Sequence, residues 1–279
     1  MRAPLEVRAE TLKLARLLGR DRESLSYLDD VSPDVIRALR EQVTDLLFTA
    51  DGTTLGRLAA ASKLLPVGLV ATIGQRAFGP VLSARVAGLI EPDRAIEMAA
   101  KMPVEFLADI AVEIDPRRAR EVIARVSPEQ VAQITAVLAR REEYVTMGRF
   151  VGFMPPQAIA AALGVLDDRA LLQVAFVLES KDSIHELVSL LSPERVDGII
   201  DAAARDKLWP EALDLVGNLD EEEQAEFAQR TGARPPGVLD SMLTAVDDLG
   251  LWEELRPLEA HLPPEAQERT AAARARASA

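Results

Sequence analysis

From Ala95 to Leu138 apolar residues return every three or four positions: Ala95, Met98, Ala99 and Met102, then Ala119, Val122, Ile123 and Val126, then Val131, Ile134 and Leu138. A stripe of this period predicts amphipathic helices, because a strand would alternate apolar and polar positions. The stripe recurs as Ile159, Ala162, Leu163 and Leu166, as Leu171, Val174, Ala175 and Leu178, and as Val196, Ile199, Ile200 and Ala203. Helix starts are marked as well. Ser32-Pro33, Glu91-Pro92, Asp115-Pro116, Ser127-Pro128 and Ser192-Pro193 each set a polar residue before proline, the pattern of an N-cap followed by proline in the first turn. Gln130 stands three residues after Ser127, at capping-box spacing.

The prolines at 92, 103, 116 and 128 lie 11 to 13 residues apart, and Pro156, Asp168 and Pro193 keep rough multiples of that step. Helices of this size are only about 12 to 17 Å long and cannot bury an apolar face alone. Stacking on neighbours solves the problem, so the expected fold is all-α: a right-handed superhelical stack, or α-solenoid, of short helices with an N-terminal helical subdomain. An irregular all-α domain is the alternative. The expected divisions are 1–90 for the N-terminal subdomain, 91–262 for the repeats and their cap, and 263–279 for a flexible tail. Within the first, residues 6–19, 32–48 and 53–63 read as helices, with a turn at Thr49 to Thr54. "RTGARPPG", Arg230 to Gly237, interrupts the pattern before a helix from Val238 to about Glu254 and a short one near Leu255 to Leu262.

Between Leu64 and Ile90 the only charges are Arg76 and Arg85. A membrane span needs about 20 consecutive apolar residues, and Arg76 arrives after a dozen. Pro66, Gly68, Gly74, Gly79 and Pro80 divide the segment into two or three short apolar helices. Burial between neighbouring helices, an exposed or ligand-lined apolar surface, and peripheral membrane contact are its three readings. A second notable window is "EYVTMGRFVGFMP", where Tyr144, Met147 and Val151 form one helical stripe and Phe150, Phe153 and Met154 another. Two stripes exceed what one buried face requires, so the helix reads either as core or as a groove-lining element.

Composition narrows the chemistry. The 279 residues carry a formal charge of −13, which disfavours attraction to nucleic acid or anionic lipid. With no cysteine there is no disulfide, thiolate nucleophile or thiolate metal site, and a cytoplasmic location is expected. The N-terminus is amphipathic and charged throughout, unlike a secretory signal. Only 4% of residues are aromatic, so aliphatic side chains fill most of the core. Trp209 and Trp252 read as packing anchors. No glycine-rich phosphate loop or nucleophile elbow is present.

Two acidic clusters are candidate divalent-ion sites: Asp29, Asp30 and Asp34, and Glu179, Asp182, His185 and Glu186. A first-turn position favouring the helix dipole explains Asp34 at least as well, a solvated acidic face capping the helix is the far commoner reading of the second cluster, and no cofactor or metal is assigned.

"EPDRAIEMAAKM", "DPRRAREVIARVSPEQVAQITAVL" and "LLSPERVDGII" resemble the N-terminal helical domain of MgtE-type magnesium transporters, over roughly residues 90 to 230. The middle domains of flagellar switch proteins look similar. The resemblance implies a superhelix of short helices that docks onto something else; regulatory nucleotide-binding modules and a transmembrane bundle have no counterpart here. The expected function is a non-enzymatic scaffold or adaptor that binds a protein partner, or itself, through an apolar surface carrying Leu65, Val67, Leu69, Phe78, Tyr144, Phe150 and Phe153. A carrier or enzyme for a hydrophobic small molecule is the second expectation, with Leu65, Val67, Leu69, Phe78 and Phe150 around a closed pocket. A magnesium-responsive regulator is the third.

Overall fold

The computed structural model of the protein describes residues 4–49, 52–181 and 183–277. Among these residues there is no strand, and the α-helices are α1 (Leu5–Leu18), α2 (Pro33–Thr49), α3 (Gly52–Ser62), α4 (Val67–Ile73), α5 (Gly79–Ala87), α6 (Pro92–Ala99), α7 (Val104–Glu113), α8 (Arg120–Ile123), α9 (Pro128–Arg140), α10 (Tyr144–Phe150), α11 (Pro156–Leu163), α12 (Asp168–Phe176), α13 (Ser183–Ser189), α14 (Pro193–Asp206), α15 (Trp209–Val216), α16 (Glu221–Ala233), α17 (Pro236–Leu249), α18 (Trp252–Glu259) and α19 (Pro264–Ala277). The all-α expectation holds. No described helix is long and apolar enough to cross a membrane.

Local signals act where expected at two of the proline-marked starts. The Ser127 and Ser192 hydroxyls accept hydrogen bonds from the backbone N–H groups of Gln130 and Arg195, each just ahead of a first-turn proline. Asp115-Pro116 departs from this pattern. The Asp115 carboxylate is buried and accepts from the Arg117 backbone and guanidinium, making a turn, and α8 begins only at Arg120. Gly250, at φ 68°, closes α17 and separates it from α18 where one helix to about Glu254 is expected. Residues 50 and 51 of the expected turn, and Asp182 of the acidic cluster, lie outside the described residues.

The chain forms two compact units: residues 1–36 with 167–279, and residues 37–166. This division cuts across the expected boundary at 90. The physical reason is that α1 packs on α15, with Arg8 beside Glu211 and the Lys13 ammonium donating to the Leu178 carbonyl at 2.9 Å. The N-terminal helix thereby becomes part of the C-terminal unit. Residues 264–277, expected as a flexible tail, form α19, whose Ala266 and Thr270 are buried and whose Arg269 pairs with Asp240 of α17.

Within residues 37–166, helices pack on the next but one along the chain: α3 on α5, α5 on α7, α7 on α9 and α9 on α11 in one row, α4 on α6 and α6 on α8 in another. Within the other unit, α12, α14, α16 and α18 form one such row, and α15, α17 and α19 a second. Polar contacts repeat at nearly constant sequence offsets. Arg125 reaches Asp93 across 32 residues, Arg141 reaches Asp109 across 32, Arg230 reaches Asp197 across 33 and Arg234 reaches Asp201 across 33. These exposed or half-exposed ion pairs add little energy, but they fix how one helix sits on the next.

The centre of the first unit is α15, in which every residue is buried, including Glu211 and Asp214. Trp209 is fully buried and its indole N–H donates to the Ser241 hydroxyl at 2.9 Å. Lys181 donates to Asp214 at 2.6 Å and to the carbonyls of Ala175 and Phe176, so its charge also closes the C-terminus of α12. Lys13 pairs with Glu10 at 2.8 Å, and both side chains are 3% exposed.

Burial pushes the Glu211 carboxyl above the usual carboxylate range, outweighing the attraction of Arg8. It pushes Asp214 up as well, against the charge and hydrogen bond of Lys181. A carboxyl whose pKa is raised by folding binds its proton more tightly in the folded chain. Its contribution is therefore full below the unfolded value near 4 and declines as pH climbs toward the raised value. Glu211→Gln removes one such group, so urea unfolding between pH 4 and 7 is expected to lose less stability in the variant than in the wild type; equal losses would contradict this account.

Candidate functional site

The inward stripes of α3 to α10 do not close completely on one another. They leave an apolar cavity of about 170 Å³, lined entirely from within residues 37–166. The helical period explains the lining. Met98 and Met102 stand one turn apart on and just beyond α6; Leu107, Ile110, Ala111 and Ile114 follow the i, i+3, i+4, i+7 stripe of α7; Gln130 and Ile134 are one turn apart on α9. Val122, Ile123 and Val126 arrive from α8 and its following turn, and Phe150 from the end of α10. Of the stripes legible in the sequence, Ala95 to Met102 lines the cavity in full and those of α8 and α9 in part, while the α7 stripe was not among them.

The opposite wall is the apolar segment Leu64 to Ile90. Its chain runs through α4, a π-helical stretch Gly74–Phe78, and α5. Such wide turns are rare and occur most often where a helix is reshaped around a site. Val70, Val86 and Ile90 are buried against Leu55, Ala59, Ala95 and Met98, while Val70, Gly74, Phe78, Ser83 and Val86 face the cavity. A Cβ at Gly74 would stand in ordinary van der Waals contact, 3.4 Å from the Ser83 hydroxyl and 3.5 Å from the Met102 methyl. The Ser83 hydroxyl donates to the Gly74 carbonyl at 3.4 Å, joining the π-helical stretch to α5.

Among the described residues the lining carries no charged side chain, and its polar side chains are Ser62, Ser83 and Gln130. Ser62 donates back to the Ala59 carbonyl at 2.7 Å. Two guanidiniums touch lining residues through the backbone only: Arg94 donates to the carbonyls of Ser62 and Leu65, and Arg149 to that of Ile114. Chemically the space offers dispersion contacts, two mobile thioethers, two aromatic rings and one carboxamide. Among the described lining residues there is no acid or base.

Of the seven residues singled out in the sequence, Phe78 and Phe150 meet in this lining. Phe78 is also 39% exposed, so its ring stands between cavity and solvent. Leu65 and Leu69 point outward at 39% and 47% exposure, because the inward face of α4 is taken by Val70 and Ala71. Val67 is half-buried against the Leu55 cluster, outside the cavity. Phe153 packs with Ala84, Ile114, Ala119 and Ile123, and Tyr144 is half-buried at the start of α10. Of the residues expected around a closed pocket, Leu65, Val67 and Leu69 lie outside the lining, and the cavity is instead walled by residues from α3 to α10, Phe78 and Phe150 among them. Met98, Met102 and Gln130 were missed as site residues, although Met98 and Met102 stand at i, i+4 in a stripe visible in the sequence.

The acidic clusters come apart. Asp29 takes a hydrogen bond from Arg22 at 2.6 Å, and Asp34 sits in the first turn of α2. His185 meets two carboxylates the sequence reading had not paired with it: its Nδ1 lies 3.0 Å from Glu223 and 3.9 Å from Asp220. Among the described residues these three form the one group with ligand atoms mutually within 4.8 Å. Asp220 and Glu223 already form the capping box of α16, each accepting the other's backbone N–H, so the cluster is accounted for as a helix cap with a histidine neighbour.

Gly79, directly after Phe78, adopts φ 71° and ψ 179°, a region essentially confined to glycine, and no atom lies within 4 Å of where a Cβ would stand. Gly79→Ala is expected to cost about 1–3 kcal/mol through backbone strain alone, measurable by urea unfolding; an unchanged midpoint would show that the turn behind Phe78 adapts freely. Comparison of the chain with protein-family models, with curated proteins and with solved structures gives no match in any of the three.

Proposed function

We propose that residues 37–166 are a binding module that encloses a small apolar molecule, and that the protein is a non-enzymatic carrier or sensor of that molecule. The single observation that carries this reading is the cavity: about 170 Å³ walled mainly by aliphatic, Met and Phe side chains, with no titratable group among its described lining residues. A general acid or base would have to reach the reacting atoms, and none of the described lining residues is one. Adaptable Met98 and Met102 suit a ligand whose outline the walls must follow. An apolar cavity of about 150 Å³ in a protein core stays dry and takes up benzene or xenon, so the size fits a ligand of comparable bulk.

A second reading is favoured by a different observation. Leu64 is 86% exposed, and Leu65, Leu69, Val81 and Leu89 join it as exposed large apolar residues of the same segment. Such residues suit docking to a protein partner or a second copy of the chain. The next-but-one packing and the offsets of 32 to 33 residues support an α-solenoid like the helical domain of MgtE-type transporters, with a right-handed superhelix as its form.

Benzene titrated into protein labelled at the methionine methyls is expected to shift the Met98 and Met102 NMR signals saturably. Ala111→Phe, which fills the cavity from α7, is expected to abolish the shifts while the chain stays folded. Absence of any shift in the wild type would overturn the carrier reading.

A further inference from the structure

Resting on the reading of residues 37–166 as a ligand-binding module, the chemistry of the lining narrows the ligand further. A charged group placed among these side chains would lose hydration with no countercharge among the described lining residues, a penalty that disfavours ions. A pure hydrocarbon, conversely, would leave one lining group without use. Gln130 is half-buried in the first turn of α9, and its backbone N–H is already engaged by Ser127. Among the described residues its carboxamide makes no hydrogen bond, unlike Ser62 and Ser83, whose hydroxyls are turned back onto the chain. A carboxamide presents both donor and acceptor, so it complements a hydroxyl or a carbonyl equally well. Ile134, one turn further along α9, and the Met98 and Met102 methyls supply apolar contact in the same lining.

We infer that the cavity takes an uncharged, single-headed amphiphile: a hydrocarbon body of on the order of six to eight carbons, held by the apolar wall, with one hydroxyl or carbonyl head bonded to the Gln130 carboxamide. Gln130 is then the specificity-determining residue of the site. The π-helical stretch and Phe78 border the same space without adding a polar group.

The test uses the full chain, with benzene, 1-hexanol and hexanoate as probes at pH 7.5, and Gln130→Leu beside the wild type. The expected result is that 1-hexanol loses about fivefold in affinity in the variant, the worth of one hydrogen bond, while benzene affinity stays within about twofold. Hexanoate, ionised at that pH, is expected to bind the wild type at least about a hundredfold more weakly than 1-hexanol. If Gln130→Leu does not fold, Gln130→Met keeps the length and flexibility of the side chain and carries the same expectation. Benzene binding with 1-hexanol affinity unchanged by either variant overturns the role of Gln130 and leaves the apolar module standing. Hexanoate binding on a par with 1-hexanol overturns the exclusion of charge. Failure of both benzene and 1-hexanol to bind overturns the module itself.

Discussion

Every feature of this protein follows from helices too short to stand alone. α6, α7 and α11 have 8, 10 and 8 residues, lengths at which an isolated helix is marginal in water. Each gains stability only by laying its apolar stripe against others, and here the support comes from the helix two places along the chain. Because the stacking step is nearly constant, so is the separation between contacting residues, and the arginine–carboxylate pairs at offsets of 32 to 33 mark that step on the surface.

The cavity is a product of the same constraint. When many short helices point their stripes at one place, the quality of closure depends on side-chain volume, and α6 and α7 bring Ala95, Ala99 and Ala111 to the meeting point. Larger residues would have filled the space with a gain in dispersion contact. The π-helical stretch from Gly74 to Phe78 borders the same space, and Phe78 ends it at the border with solvent. The outward leucines of α4 and the preceding turn are the remainder of a segment with more apolar residues than one inward face can hold.

The unit containing α15 solves burial differently. Its central helix is short and wholly enclosed, so the two carboxylates on it are enclosed too, and cations from α1 and from the chain after α12 are drawn in to meet them. Arg8 and Lys181 also sit 5.7 Å from the Phe176 ring, which adds a cation–π contact to each. Removal of either cation would leave a buried carboxylate without its countercharge, whereas Arg8 and Lys181 themselves keep contact with solvent. The arrangement also ties the first helix of the sequence to one more than 190 positions later.

The sequence by itself determined the class of structure and the faces of its helices. Periodic stripes such as Ala95, Met98, Ala99 and Met102, the serine caps at Ser127 and Ser192, and the broken apolar run before Ile90 are local signals, and local hydrogen bonding and the 3.6-residue turn fix them without reference to distant residues. Tertiary structure alone decided which faces meet. Nothing local tells that Phe78 and Phe150 share a cavity with Gln130 while Leu65 and Leu69 face outward, or that "WPEALDLV" is buried on all sides despite Glu211 and Asp214. Nor does the step of 11 to 13 residues reveal that α1 joins the C-terminal unit. Those outcomes depend on contacts between residues far apart in the chain and on the volume left when side chains close, quantities that no window of sequence contains.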